Sequence, residues 1–138
     1  MIETFETVAK AVADPSRVRI LKLLEGGELC VCQITTVLGL ATATISKHLA
    51  ALKVAGLLQQ RRDGKWVYYR LAERGLNPYA PHFLDVVRSA LQGDPTIAED
   101  QRLLALVNQV SVQALCDQGR AALPAGAHSV SSCCEASP

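Results

Sequence analysis

Asp63-Gly64 stands between two strand-like runs, residues 57–61 and 66–71. An Asp-Gly pair in that setting is the strongest short-range signal for a β-hairpin. What precedes it narrows the fold further. A short amphipathic helix over 33–38 ends at Gly39, a natural left-handed C-terminal residue. After a turn over 40–43, a second helix from Thr44 turns Ile45, Leu49 and Leu52 inward and stops at Gly56. Two helices of this size joined by a glycine-containing turn are the signature of a helix-turn-helix. A hairpin that follows at once reads as its wing. The expected fold is mainly α with a small β-hairpin, a winged helix-turn-helix.

The flanks are helical too. Phe5, Val8, Ala9 and Val12 have helical spacing over 4–13, and Asp14-Pro15 supplies an N-cap and a first-turn proline for the next helix. That helix is expected to bury Val18, Ile20, Leu21, Leu23 and Leu24 and to stop at Gly26-Gly27. Asn77-Pro78 interrupts the chain before an amphipathic stretch over 82–91. Gly93-Asp94-Pro95 interrupts it again before one long final helix over 97–115, with Leu103, Leu104, Val107, Val110 and Leu115 on its apolar side. From Asp117 onward small residues, Gly, Pro and Ser dominate, which predicts a flexible tail.

A chain of 138 residues with 49% hydrophobic content suits one packed domain, and with only 4% aromatics the core must be aliphatic. No apolar run approaches the roughly 20 residues that span a bilayer. The first 14 residues carry acids and lack a basic-then-apolar leader pattern. A cytoplasmic protein is the expectation, and there five cysteines should stay reduced. Their odd number also argues against a complete disulfide framework.

The net charge of +1 hides an uneven distribution. Residues 44–74 hold seven basic and two acidic side chains, whereas the segments on either side are net acidic. A concentrated positive field is what a phosphate backbone requires. At its leading edge, Thr42, Thr44, Ser46, Lys47 and His48 put short polar and basic groups near the start of the second helix, where base edges and phosphates are met. Arg61, Arg62 and Lys65 supply the wing. An ordinary amphipathic helix could carry the same polar face, and His48 could equally pack or cap. The preceding glycine-ended helix and the hairpin decide for double-stranded DNA as partner.

Cys30 and Cys32 lie where the helix-turn-helix begins. Two inert, buried cysteines are the plain alternative, since free Cys is among the most buried residue types. As ligands they would have a mechanical effect. Residues two apart lie about 200° around a helix, or about 6.6 Å apart along one face of a strand. Neither form brings both sulfurs onto one atom, so ligation would impose a tight local turn on the start of the first helix. Cys133 and Cys134, in the small-residue tail, are expected to be exposed and reactive. Cys116 reads as a packing residue. His48, His82 and His128 have no ligand pairing that would complete a tetrahedral zinc site.

Together, Asp14-Pro15-Ser16-Arg17-Val18-Arg19-Ile20-Leu21, Glu28-Leu29-Cys30-Val31-Cys32, Ser46-Lys47-His48-Leu49 and Gly64-Lys65-Trp66-Val67-Tyr68-Tyr69-Arg70-Leu71 resemble the ArsR/SmtB family of winged-helix, metal-responsive repressors. The match covers residues 5–75, and Glu-Leu-Cys-Val-Cys is similar to the arsenic-responsive branch. The resemblance implies a homodimer formed by the first and a late helix, bound to an imperfect palindrome over an arsenic-resistance promoter. It implies release on binding As(III) or Sb(III) as inducer, with no permanently bound cofactor. On this basis residues 1–95 form the DNA-binding and dimerisation domain, 96–116 a C-terminal helix extending the dimer or core, and 117–138 the cysteine-containing tail. The best-known form of the motif has a third cysteine three residues after the second; here that residue is Thr35. The metalloid ligands are then Cys30 and Cys32 with Cys133 or Cys134, and less readily Cys116. Alternatively two thiolates suffice, as for a monosubstituted organoarsenical.

Other readings keep the fold and change the signal or the task. A thiol-redox repressor would oxidise Cys30 or Cys32, or join one to the tail. A thiol enzyme is disfavoured by the lack of Cys-x-x-Cys, of a βαβ pattern and of an anion-binding glycine loop. A winged helix used only for protein contact would bind DNA weakly and without salt dependence.

Overall fold

The computed structural model describes residues 1–73 and 77–124. Helices α1 (Ile2–Ala11) and α2 (Pro15–Leu24) are followed by a short strand β1 (Leu29–Cys30), then α3 (Val31–Leu38) and α4 (Thr42–Val54). The hairpin β2 (Leu58–Asp63) and β3 (Trp66–Leu71) comes next, and α5 (Ala80–Ser89), α6 (Pro95–Val107) and α7 (Val112–Gln118) complete the helices. A 3₁₀ turn, Gly119–Ala122, continues directly from α7.

One device starts two of these helices. Asp14 accepts a hydrogen bond from the Arg17 amide with Pro15 at the first position of α2, and Asp94 does the same for the Thr96 and Ile97 amides ahead of α6. Both satisfy amides that a helix start leaves unpaired. Gly39, with φ of 70°, ends α3 in the left-handed conformation and turns the chain so that α4 departs at 115°. The core is aliphatic, as the composition requires. Ile20 and Leu21 of α2, Ile34 and Val37 of α3, Ile45, Leu49 and Leu52 of α4, and Val107 of α6 are fully enclosed.

The wing is wider than a hairpin. β1 pairs with β3 through Leu29–Tyr69 and Cys30–Tyr68, giving an antiparallel sheet in the order β1-β3-β2. β3 has the expected bounds, whereas β2 begins one residue later than the hydrophobic pattern suggested and ends two residues later. Asp63 pairs with Trp66, so the two-residue turn is Gly64-Lys65, with Gly64 at a φ of 61°. A glycine at the first central position suits the turns that match strand twist.

Two expectations for the C-terminal region are corrected. The single helix over 97–115 is broken, because Asn108 caps α6 and Ser111 starts a new helix by accepting the Ala114 amide at 3.2 Å. The apolar spacing runs through the break, which is why it looked continuous. The expected tail also begins too early: residues 117–124 finish α7 and turn back onto α3, with Leu123 buried.

Buried charge ties the helices together. Asp100 of α6 accepts both an Nε and an Nη bond from Arg19 of α2, each at 2.8 Å. The Lys22 ammonium donates to the carbonyls of Val87 (3.1 Å), Arg88 (3.3 Å) and Ala90 (3.1 Å), capping the end of α5, and pairs with Glu25 at 3.1 Å. Asp100 has a side chain only 4% exposed, and removing it strands the 25%-exposed Arg19. Asp100→Ala should therefore cost about 2–4 kcal/mol, at or below the range for a fully buried pair. The urea midpoint should fall with an unchanged m value.

Candidate functional site

Helix α4 divides cleanly. Ile45, Leu49 and Leu52 face the core, while Thr42, Thr44, Ser46 and Lys47 are exposed along its first half. This is the face a recognition helix would offer to a groove. His48 is half-buried, and its Nδ1 accepts a bond from Arg17 Nε at 3.2 Å. Arg17 also donates to the Lys10 carbonyl at 3.3 Å. Thus His48 helps seat α4 against the start of α2, the packing alternative weighed for it from the sequence.

The wing's three basic residues have different settings. Arg61 is engaged within the molecule: it donates from Nε and Nη to Glu28, with a closest approach of 2.7 Å, and its guanidinium lies 4.6 Å from the centre of the Tyr68 ring. Since β3 lies between β1 and β2, this contact reaches across the sheet to the residue preceding β1. Lys65 at the turn rests 4.7 Å from the Trp66 ring centre. Arg62 is exposed and makes no ion pair among the described residues. Of the basic residues expected at the DNA face, Lys47 and Arg62 are thus exposed without an ion pair among the described residues, and Arg61 braces the wing.

The described cysteines occupy two environments. Cys30 is 2% exposed, ends β1 and is the N-cap of α3; its amide donates to Gln33 Oε1 at 2.8 Å. Cys32, in the first turn of α3, is half-buried and is joined by a disulfide to Cys116 of α7, with Cα atoms 5.2 Å apart. Two expectations give way here. Cys116 is no mere packing residue, and these two thiols do not stand reduced in the structure. The break at Ser111 turns α7 back along α3 and delivers Cys116 there. Cys133 and Cys134 lie outside the described residues.

Arg120 is a further residue the sequence did not flag. Its Nε donates to the Thr36 carbonyl and its Nη to the Val37 carbonyl, each at 3.0 Å, so it caps the end of α3 beside the helix-turn-helix corner. A lone arginine in a small-residue segment carries no local signal for such a contact. Ser111 ahead of an apolar residue was the one legible hint that the chain starts a new helix.

A small sheet edge-joined to a helix pair at a steep angle defines a winged helix-turn-helix regulator. The chain belongs to the arsR family of bacterial regulatory proteins, whose family model matches residues 14–60. The arsenic resistance transcriptional regulator ArsR2 of Pseudomonas putida is 38% identical over 98 residues, covering 70% of this chain and 81% of that protein. ArsR1 of the same organism, also named an arsenic resistance transcriptional regulator, is 46% identical over 81 residues, which cover 58% of this chain. This chain spans only 59% of that relative's length. Among solved structures, a homodimeric winged helix-turn-helix DNA-binding domain from Mycobacterium bovis, described as a possible ArsR-family regulator, superposes with a TM-score of 0.55 at 36% identity. That superposition covers 63% of this chain and 77% of the other.

The Arg61 hydrogen bonds hold the Glu28 carboxyl below the ordinary glutamate value of 4.5. A lowered carboxylate pKa means that the contact is fully present above that value and is lost as pH falls through the lowered one. The brace is thus intact at neutral pH. In an NMR titration, Arg61→Gln should move the Glu28 midpoint up towards 4.5.

Proposed function

We propose that this protein is an As(III)/Sb(III)-responsive transcriptional repressor, binding a palindromic operator as a homodimer and dissociating when cysteine thiolates take the metalloid. The observation that carries this reading is the position of Cys30. It is the last residue of β1, within the wing's sheet, and the cap of α3, the first helix of the helix-turn-helix. Any ligation that rebuilds the backbone there acts on both DNA-reading elements. The Glu28–Arg61 contact carries the same displacement across the sheet.

The soft sulfur donors at the start of α3, Cys30 and Cys32, suit a thiophilic metalloid, with Cys133 and Cys134 as further thiols. The DNA face comprises Thr42, Thr44, Ser46, Lys47, His48, Arg61, Arg62 and Lys65, with His48 and Arg61 acting through the contacts described above. Dimerisation is supported by exposed apolar residues on α1 and α5. Ile2 is 77%, Phe5 47% and Val86 64% exposed, and Phe5 stacks edge-on to Tyr79, with ring centres 5.4 Å apart. The names of the relatives, arsenic resistance regulators and a homodimeric DNA-binding domain, point the same way. A repressor acts where its operon is, in the cytoplasm, and this reading assigns no catalytic residue.

The Cys32–Cys116 bond favours one second reading, in which thiol oxidation is the signal. The two separate in reducing buffer, where only a metalloid sensor responds to arsenite. In a fluorescence-anisotropy titration of operator DNA, arsenite should weaken binding by about 5-fold or more, the lower end of a coupling of about 1–3 kcal/mol. Cys30→Ser and Cys32→Ser should bind DNA and ignore arsenite. Undiminished operator binding by reduced protein saturated with arsenite would overturn the proposal.

The cationic face yields a separate expectation. Lys47→Ala and Arg62→Ala should each weaken operator binding, and each lost phosphate contact should reduce the slope of log affinity against log salt by about 0.9.

A further inference from the structure

Cys116 lies 84 residues from Cys32 in sequence, yet α7 places their Cα atoms 5.2 Å apart. The two side chains border a cleft of about 280 Å³ between α3 and α7, which Thr35, Thr36 and Thr42 also line. Cys30 does not line this cleft and is enclosed on the core side of the α3 start. Thr42 is the first residue of α4, so the cleft lies at the corner between the two helices of the helix-turn-helix. Arg120 borders it as well, with its guanidinium on the last carbonyls of α3.

From this arrangement we propose that Cys116 is a ligand of the metalloid site, pairing with Cys32 so that a trivalent arsenic atom fastens α7 to α3. The inference rests on the repressor reading above and names the thiolate that Thr35 does not provide. The fold has already paid the closure of an 84-residue separation, so this pair reaches one arsenic atom without the tight turn that Cys30 and Cys32 would need. Cα separations of 4.4–6.8 Å suit a direct sulfur–sulfur link. One interposed atom lengthens that bridge modestly, which side-chain rotation and a small outward movement of the short α7 can accommodate.

The chemistry balances in two stages. A thiol reductant first returns the Cys32–Cys116 disulfide to two thiols, becoming a disulfide itself. Each thiol then forms one sulfur–arsenic bond, and its proton leaves with an arsenic-bound hydroxyl as water. Arsenic stays trivalent throughout. In a monosubstituted arsenical the organic group fills the third position; in arsenite that position is left for Cys30, which is enclosed outside the cleft and reaches it only if the start of α3 rebuilds into the tight turn described above.

The test uses the full, reduced chain and phenylarsenite. After trypsin digestion, mass spectrometry should find one phenylarsenic joining the peptide that carries Cys32 to the peptide that carries Cys116. An arsenic held within the single peptide containing Cys30 and Cys32, or joining it to the Cys133–Cys134 peptide, overturns the proposal. In intact-mass titrations, Cys116→Ser should weaken phenylarsenite uptake at least tenfold; uptake that Cys116→Ser leaves intact and the Cys133→Ser/Cys134→Ser double variant weakens would overturn the proposal. The peptide map needs no variant, so a misfolded Cys116→Ser protein does not blunt the test. If the Cys32–Cys116 bridge forms but operator DNA stays bound, the repressor reading fails and the site stands. If Cys116→Ser takes up phenylarsenite and releases DNA as the wild type does, the site fails and the repressor reading stands.

Discussion

Helix α3 has eight residues, too few to hold a helix in water by local hydrogen bonding. Its shape is imposed from outside. Ile34 and Val37 are fully enclosed, and α2, α4, α6 and α7 all pack against it. Gln33 secures its start through the Cys30 amide, and Arg120 secures its end through two carbonyls. The direction of α4 depends on these contacts, because only Gly39 to Ala41 separates the two helices. A helix this dependent on its neighbours is well suited to transmit a change in any one of them.

The positive charge of the chain serves two purposes that its composition cannot separate. Arg19, Lys22 and Arg120 are spent inside the fold, each on carboxylates or helix-end carbonyls, where charge-assisted hydrogen bonds justify partial burial. Lys47 and Arg62 project from α4 and the wing into solvent. Arg61 stands between these groups, exposed yet tied to Glu28. The described basic residues of the excess over residues 44–74, Lys47, Lys53, Arg61, Arg62, Lys65 and Arg70, are all exposed, so the charge that the segment concentrates stands at the surface.

Much of the fold was legible from local chemistry. Asp14-Pro15, Gly39 and Gly64 act on their immediate neighbours, and the residues they punctuate fall into the expected helices and turn. The enclosed residues of α2 and α4 follow the apolar spacing, although Val18 is only partly buried. What escaped were contacts distant in sequence. β1 is two residues long and exists because β3 offers an edge, so no periodicity could reveal it. The partnerships Arg17–His48, Arg61–Glu28 and Cys32–Cys116 likewise depend on tertiary placement. For Cys116 the obstacle was specific: an apolar stripe that continues across Asn108–Ser111 conceals the reversal that carries it to α3.

Gly39 illustrates how two such contacts limit each other. Its φ of 70° alone would admit an asparagine, the residue that most readily shares this conformation with glycine. A Cβ there, however, would lie 2.9 Å from the Arg120 guanidinium. That group ends a flexible side chain, so a residue at 39 would push the guanidinium off the Thr36 and Val37 carbonyls rather than be excluded, and the end of α3 would lose its cap.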